Sequence, residues 1–393
     1  MSTIASISTA PGIGGIGIIR MSGEKTFEIL EKIFKPKTYQ KIEDIKGYTI
    51  KYGHIVEDNE IIDEVLVSYF KAPRSYTTEN MCEINSHGGN VIVKRILELC
   101  LKNGADLAEP GEFTKRAFLN GRIDLAQAES VIDVINAKSE KEAKSGIKQL
   151  EGYLSKEIQD IKQEILDVLV NIEVSIDYPE YDTPEVQEKE IYEMLTSVRK
   201  SLEKLEKSFD NGKILKEGIK TAIIGKPNAG KSSLLNAILK EDRAIVTDIA
   251  GTTRDTIEEF VTINGIPLNL VDTAGIREAS DEVEKIGVEK SIKQANNADL
   301  IIAIFDSSKD LTDEDIEILK LIENKKAIIL LNKSDLDAKI NENDSRFTNI
   351  SDNIIKISAL NKTGIDLLYE KISDLFNLNE INLDNDVLIT NIR

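Results

Sequence analysis

The sequence predicts a multidomain α/β chain: an α+β region first, an α-helical region next, and then a doubly wound domain with a mostly parallel sheet. Three observations predict it. At 393 residues the chain is too long for one small domain. Its apolar periodicity changes from short alternating runs to a helical stripe and then to alternating strands and helices. A buried strand run also leads straight into a glycine-bearing loop and a helix around residues 225–232, a phosphate-binding arrangement.

Residues 1–118 mix alternating strands at 64–70 and 81–86 with Gly- and Pro-containing turns, and a helix is expected over 91–101. Residues 119–215 read as helical. Leu150, Leu154, Ile158, Ile161, Ile165, Leu169, Ile172 and Ile176 recur at steps of four and three, which places them on one helix face. A second stripe runs Ile191, Leu195, Val198, Leu202, Leu205 and Phe209, and Pro179 ends the first helix. Both stripes must be buried against something. Residues 216–379 give buried strands at 221–224, 268–271, 300–305, 327–331 and 354–357, with helices at 232–239, 312–321 and 365–376. An exposed-type strand at 258–263 joins 266–271 through Asn264-Gly265, a hairpin signal. Ligands of such a sheet lie at the carboxyl ends of its strands. Residues 380–393 follow the last of these helices.

Composition narrows the chemistry. With 41% apolar and 30% charged residues, the balance is that of an ordinary soluble globular protein. No apolar run is long enough to span a bilayer, and the N-terminus lacks a basic region ahead of an apolar one. A cytoplasmic protein with no membrane association is expected. The net charge of −19, with no basic stripe and no Trp, argues against a broad nucleic-acid surface. Any nucleic acid is expected through a partner or a local patch. Cys82 and Cys100 are too few for a disulfide framework or a zinc site, and they read as small core residues. His54 and His87 are too few and too far apart to suggest a metal site. Gly12-Ile-Gly-Gly-Ile-Gly17 fits a dinucleotide fingerprint, but a strand-like run follows where a helix is needed.

The loop Gly225-Lys-Pro-Asn-Ala-Gly-Lys-Ser232 carries the main chemistry. Gly225 and Gly230 let the backbone curl until its N–H groups point at phosphate oxygens, beside a helix N-terminus. Asn228, Ala229, Gly230, Lys231, Ser232 and Ser233 form this cradle: Lys231 reaches the β- and γ-phosphates, and Ser232 can ligate Mg²⁺. Four constellations follow at other strand ends. Thr252 and Thr253 offer a hydroxyl to Mg²⁺ and an amide to the γ-phosphate, with Thr247, Asp248, Ile249, Ala250 and Gly251 in the same loop. Asp272-Thr273-Ala274-Gly275 closes a strand, where Asp272 can hold a metal-bound water and Gly275 can sense the γ-phosphate. In Asn332-Lys-Ser-Asp335 the carboxylate accepts N1–H and N2–H of guanine, which adenine lacks, and Lys333 can lie over the base. Ser358-Ala359-Leu360 can offer an amide to guanine O6. Five such signals in order specify GTP and GDP. Ile276 stands where Ras-like proteins carry the water-orienting glutamine, so the attack must be organised from elsewhere. Glu278, Asp281, Glu282 and Glu284 are the nearby acidic candidates. From the residues alone, each reads as part of a solvated acidic loop.

At this point the sequence resembles the family of the tRNA modification GTPase MnmE, also called TrmE. The resemblance rests on Ala10-Pro-Gly-Ile-Gly-Gly-Ile-Gly-Ile-Ile-Arg20, Glu83-Ile-Asn-Ser-His-Gly-Gly89, Pro110–Asn120, Asp124–Glu129, Gly225–Ser233, Thr247–Asp255 and Asp272–Glu284. It implies an N-terminal domain that dimerises and binds a folate (5,10-methylene- or 5-formyl-tetrahydrofolate). It also implies a helical domain built from chain on both sides of an inserted Ras-like P-loop GTPase domain. Arg20, Glu83 and Arg122 match folate-contacting positions. K⁺ would be held by Asn228 and the loop of Thr247, Ile249 and Thr252, with Mg²⁺ on Ser232 and Thr253. Asn228, Lys231, Thr253 and Glu284 would serve catalysis, Glu284 by positioning the water. The resemblance further implies a homodimer, and a heterotetramer with the FAD-containing protein MnmG (GidA) that modifies the wobble uridine of tRNA. There GTP hydrolysis drives conformational change. The chain lacks the family's last helices and its Cys-Ile-Gly-Lys-like tail, and so reads as a truncated member. A competing reading is a nucleotide-gated RNA-binding module of the ribosome-assembly type, which would not use the first 118 residues for folate.

Overall fold

Two units partition the chain, Met1–Ile132 and Asp133–Arg393. The structure is a computed structural model, and it describes residues 1–38, 41, 45–177, 188–239, 259–270, 295–347 and 353–378.

The first unit runs β1 (Ile4–Ile7), β2 (Ile16–Ser22), α1 (Thr26–Ile33), β3 (Phe34–Pro36), β4 (Thr49–Glu57), β5 (Glu60–Phe70), β6 (Met81–His87), α2 (Asn90–Lys102), β7 (Asp106–Leu107), α3 (Glu112–Leu119) and α4 (Leu125–Asn136), which carries the chain into the second unit. The strands form one sheet in the order β3-β4-β5-β6-β2-β1-β7, antiparallel except for the β1–β7 pair. Side chains alternate across a strand. Ile19, Met21, Val65, Val67, Cys82 and Ile84 therefore face α1 and α2, where Leu30, Ile33, Ile96 and Leu99 close the core. Arg20 and Glu83, the intervening residues, project from the opposite face. Both cysteines belong to the core, and burial pushes their thiols up, that of Cys100 to about 12. They are inert packing residues. The Gly12–Gly17 segment leads into β2 and not into a helix.

β5 begins four residues earlier than its hydropathy suggests. Ile61 points outward and Asp63 inward, the reverse of the usual pattern. The inward carboxylate is satisfied by His87, whose backbone N–H donates to it at 2.8 Å and whose Nδ1 lies 2.6 Å away. That pairing raises the His87 pKa.

The second unit continues with α5 (Glu140–Leu150), α6 (Tyr153–Asp177), α7 (Glu188–Glu217), β8 (Ile219–Ile224), α8 (Lys231–Leu239), β9 (Glu259–Ile263), β10 (Ile266–Leu270), β11 (Leu300–Asp306), α9 (Asp313–Ile322), β12 (Ala327–Asn332), β13 (Ile354–Lys356) and α10 (Ile365–Leu375). Its sheet has the order β13-β12-β11-β8-β10-β9. All pairs are parallel but the β9–β10 hairpin, which turns at Asn264 and Gly265 with φ of 50° and 79°, as the two-residue hairpin requires. One face packs α8 and α10 through Leu234, Leu235, Leu368 and Ile372. The other packs α9 through Leu319 and Ile322. Every position of β12 is buried, and each of its Ile and Leu side chains contributes about 2 kcal/mol by leaving water.

The helical stripes are only partly covered. Ile161, Val198 and Leu205 form a small core with Leu154, whereas Ile158, Ile165, Leu169, Ile176, Leu195 and Leu202 stay exposed. Two long helices meeting along one seam hide only the residues at that seam. The expectation that both stripes are buried therefore holds for a minority of their residues among the described part of the chain.

Candidate functional site

Parallel β8, β11, β12 and β13 end on one edge of the second sheet, and their ends supply the residues expected to bind nucleotide. β8 stops at Ile224, and the chain then loops through Gly225–Gly230 into α8. A Cβ on Gly225 would lie 2.5 Å from the Ile304 carbonyl oxygen, and one on Gly230 would collide with the Asn332 side-chain amide. Glycine at both positions is what lets the loop lie against β11 and β12. Asn228 takes the left-handed conformation at φ 63°, which Asn tolerates better than most residues. It is exposed at the crest of the loop.

Lys231 opens α8 and folds back over this loop, donating to the carbonyl oxygens of Gly225 at 2.6 Å and Lys226 at 2.8 Å. Burial lowers its pKa. An ammonium suspended over a ring of peptide groups is placed to meet phosphate oxygens. Ser232 and Ser233 lie exposed on the first turn of α8, and Ala229 is buried beneath the loop.

The end of β12 ties the pieces together. Asn332 is buried, donates through Nδ2 to the Ala229 carbonyl at 2.8 Å, and accepts the Ala359 N–H on Oδ1 at 3.0 Å. It thus bridges the phosphate loop to the segment after β13. Lys333, at φ 65°, donates to Asp306 Oδ2 at 2.6 Å. Burial pushes the Asp306 carboxyl up, but bonds from Lys333 and Ser308 outweigh it and hold the group below its usual range. Asp335 is exposed and accepts the Ser358 hydroxyl at 2.6 Å, which fixes one carboxylate oxygen and leaves the other without a partner among the described residues. Leu360, two residues after Ser358, is exposed.

Two contacts here escaped the sequence reading. Asp306 closes a buried strand run, and that position was its only signal. Lys226 pairs with the nearly buried Asp315 of α9 at 2.6 Å and donates to Thr312 at 2.8 Å. Nothing in the spacing announces that link. Thr247, Asp248, Ile249, Ala250, Gly251, Thr252, Thr253, Asp272, Thr273, Ala274, Gly275 and Glu284 lie outside the described residues.

The other expected site lies in the first unit. Arg20, Glu83 and Arg122 line one cavity of about 680 Å³, with aromatic walls from Tyr48, Phe70 and Tyr76. Arg20 and Glu83 stand directly opposite in the β2–β6 register. Two guanidinium nitrogens of Arg20 reach Glu83 Oε1, Nε donating at 2.9 Å and Nη2 lying at 2.8 Å. The guanidinium sits 5.6 Å from the Tyr76 ring and 5.5 Å from Phe113. Arg122 donates to the Tyr76 carbonyl at 3.3 Å and lies 4.9 Å from its ring. Residues remote in sequence therefore share one wall.

Among the described residues, no helix is long and apolar enough to cross a membrane.

Comparison with known proteins agrees across the chain. A family described as the GTP-binding protein TrmE N-terminus matches residues 3–122, and the MnmE helical domain matches residues 125–393. The tRNA modification GTPase MnmE of Clostridioides difficile (strain 630) is 52% identical over 391 residues, covering 100% of this chain and 85% of that protein. The protein of the same name from Ligilactobacillus salivarius (strain UCC118) is 52% identical over 394 residues, covering 100% and 84%. Among solved structures, the G domain of the T. maritima FeoB iron transporter is 24% identical with a TM-score of 0.30, covering 40% of this chain and 98% of that one. The chain is a GTPase, and it belongs to the MnmE (TrmE) family of tRNA modification GTPases.

Proposed function

We propose that this chain hydrolyses GTP with Mg²⁺ and K⁺, and couples the hydrolysis to modification of the tRNA wobble uridine at carbon 5. The product would carry an aminomethyl or carboxymethylaminomethyl group. The reading is carried by the relatives of about 50% identity over the whole chain, each named a tRNA modification GTPase. It fits a cytoplasmic homodimer that assembles with the FAD-containing MnmG into a heterotetramer and meets tRNA mainly through that complex. Residues 1–118 would dimerise and bind a tetrahydrofolate, 119–215 and 380–393 would belong to the helical domain, and 216–379 would form the GTPase domain.

The roles follow from donor chemistry. The loop amides of 228–233 and Lys231 hold the phosphates, and Asp335 reads the guanine edge while the segment Ser358–Leu360 offers a backbone amide to O6, that of Leu360, since the Ala359 N–H is given to Asn332. Ser232, exposed at the start of α8, would hold Mg²⁺ with Thr253. The side-chain oxygen of Asn228 is a hard donor suited to a potassium ion, with Thr247, Ile249 and Thr252 completing its shell. Bound there, K⁺ supplies positive charge against the charge that develops on the phosphates. Glu284 would orient the attacking water. In the cavity of the first unit, Glu83, held by Arg20, can accept N–H groups of a pterin, while Arg122 offers a cation to a carboxylate tail.

Two measurements test this. GTP turnover in K⁺ should exceed turnover in Na⁺ by about tenfold, since ~1.4 kcal/mol of transition-state charge stabilisation is the least a catalytic cation supplies. Equal rates would remove the role of Asn228 in holding potassium. Calorimetric titration with 5-formyl-tetrahydrofolate should give binding that weakens about tenfold or more in Arg20→Ala, because Glu83 then loses its charge-assisted partner. No heat with the wild-type chain would instead favour the ribosome-assembly type of GTPase.

A further inference from the structure

The cavity of the first unit holds one cation that the protein itself does not use. Three guanidiniums line it, those of Arg20, Arg74 and Arg122. Arg20 is committed to Glu83, and Arg122 leans on Tyr76. Arg74 is exposed, and among the described residues its side chain makes no ion pair, hydrogen bond or ring contact. Its backbone is nevertheless pinned. The Arg74 N–H donates to the Lys71 carbonyl at 2.9 Å, and the next residue, buried Ser75, donates through its hydroxyl to the Glu79 carbonyl at 2.6 Å. A free, exposed guanidinium on a fixed turn in the lining of a cavity is preorganised for an anion.

The cavity also has a direction. Among the described residues, Glu83 is the only acidic one of its lining, so the N–H-rich end of a ligand belongs beside it. Anionic groups are repelled from that end and drawn towards the two arginines that Glu83 does not neutralise. We propose that Arg74 receives the outer carboxylates of the ligand's tail, so that the site favours folates with several γ-linked glutamates over those with one. This rests on the folate reading of the cavity. The first glutamate would fall to Arg122 and the further ones to Arg74, the remaining uncommitted cation among the described residues of the lining.

The test is calorimetric titration of the full chain with 5-formyl-tetrahydrofolate bearing one glutamate and bearing five. The longer ligand should bind about fivefold tighter at low ionic strength, the scale of one exposed ion pair at its upper end. The gap should close at about 0.5 M salt, where screening falls within a few ångström. Arg74→Ala should bring the pentaglutamate down to the monoglutamate, and Arg74→Lys should keep part of the difference. Equal affinities in the wild type, or a gap that survives in Arg74→Ala, would overturn the proposal and leave the folate reading standing. Absence of binding by either ligand would overturn the folate reading itself.

Discussion

Replacing Lys231 with Ala is expected to weaken GDP and GTP binding by about a hundredfold or more, since a charge-assisted bond to phosphate in a partly buried site is worth ~3 kcal/mol. The side chain sits over the loop with its ammonium already aimed inward, held by the carbonyls of Gly225 and Lys226. Burial lowers its pKa because the charged form is poorly solvated there, and an anion beside it compensates for that loss. Fluorescent guanine-nucleotide titration in Mg²⁺ reads the loss. Thermal unfolding of the nucleotide-free protein serves as the control, because the variant leaves two carbonyls short of a donor. Near-normal binding in a folded variant would contradict the assignment of the loop.

Asp335→Asn should reverse the base preference. Guanine offers two N–H donors to a carboxylate, and an asparagine can accept only one of them while its NH₂ meets the other as a second donor. Loss of one charged hydrogen bond and creation of one clash should cost about a thousandfold in GTP affinity. Xanthine carries an oxygen where guanine has its amino group, and the NH₂ satisfies it. The neighbouring hydroxyl makes the outcome specific. Ser358 donates to Asp335 Oδ1, so the amide oxygen of the variant belongs at that position and the nitrogen at the other. Competition between xanthosine and guanosine diphosphates measures the switch. Retained guanine preference would mean that the base is read elsewhere.

How much of this was legible beforehand depended on range. The phosphate loop was readable because its demands are local: two glycines, a lysine and a helix start within eight residues. The hairpin at Asn264-Gly265 was readable for the same reason. The start of α9 was displaced by one residue, because Thr312 donates its backbone N–H to Asp315 as a cap and does not begin the helix. Pairings made by register were not readable. Arg20 meets Glu83 across 63 residues, and only the placement of β2 beside β6 brings them together. Lys226 with Asp315 and Lys333 with Asp306 depend in the same way on crossovers between parallel strands. Periodicity named the faces of α6 and α7 but could not say how much of each face a neighbour would cover. The inward Asp63 went unread because its satisfaction comes from His87, on another strand.

One buried amide has a consequence for how the nucleotide is sensed. Ala229 and Ala359 hang from the two ends of the same Asn332 side chain, so the loop proposed for the phosphates and the segment proposed for the purine are tied to one group. Guanosine and pyrophosphate offered as separate fragments should each engage only one side of that link, and the intact nucleotide is expected to bind more tightly than their sum. With such linkage the enzyme is expected to respond to whole nucleotides far more than to their parts.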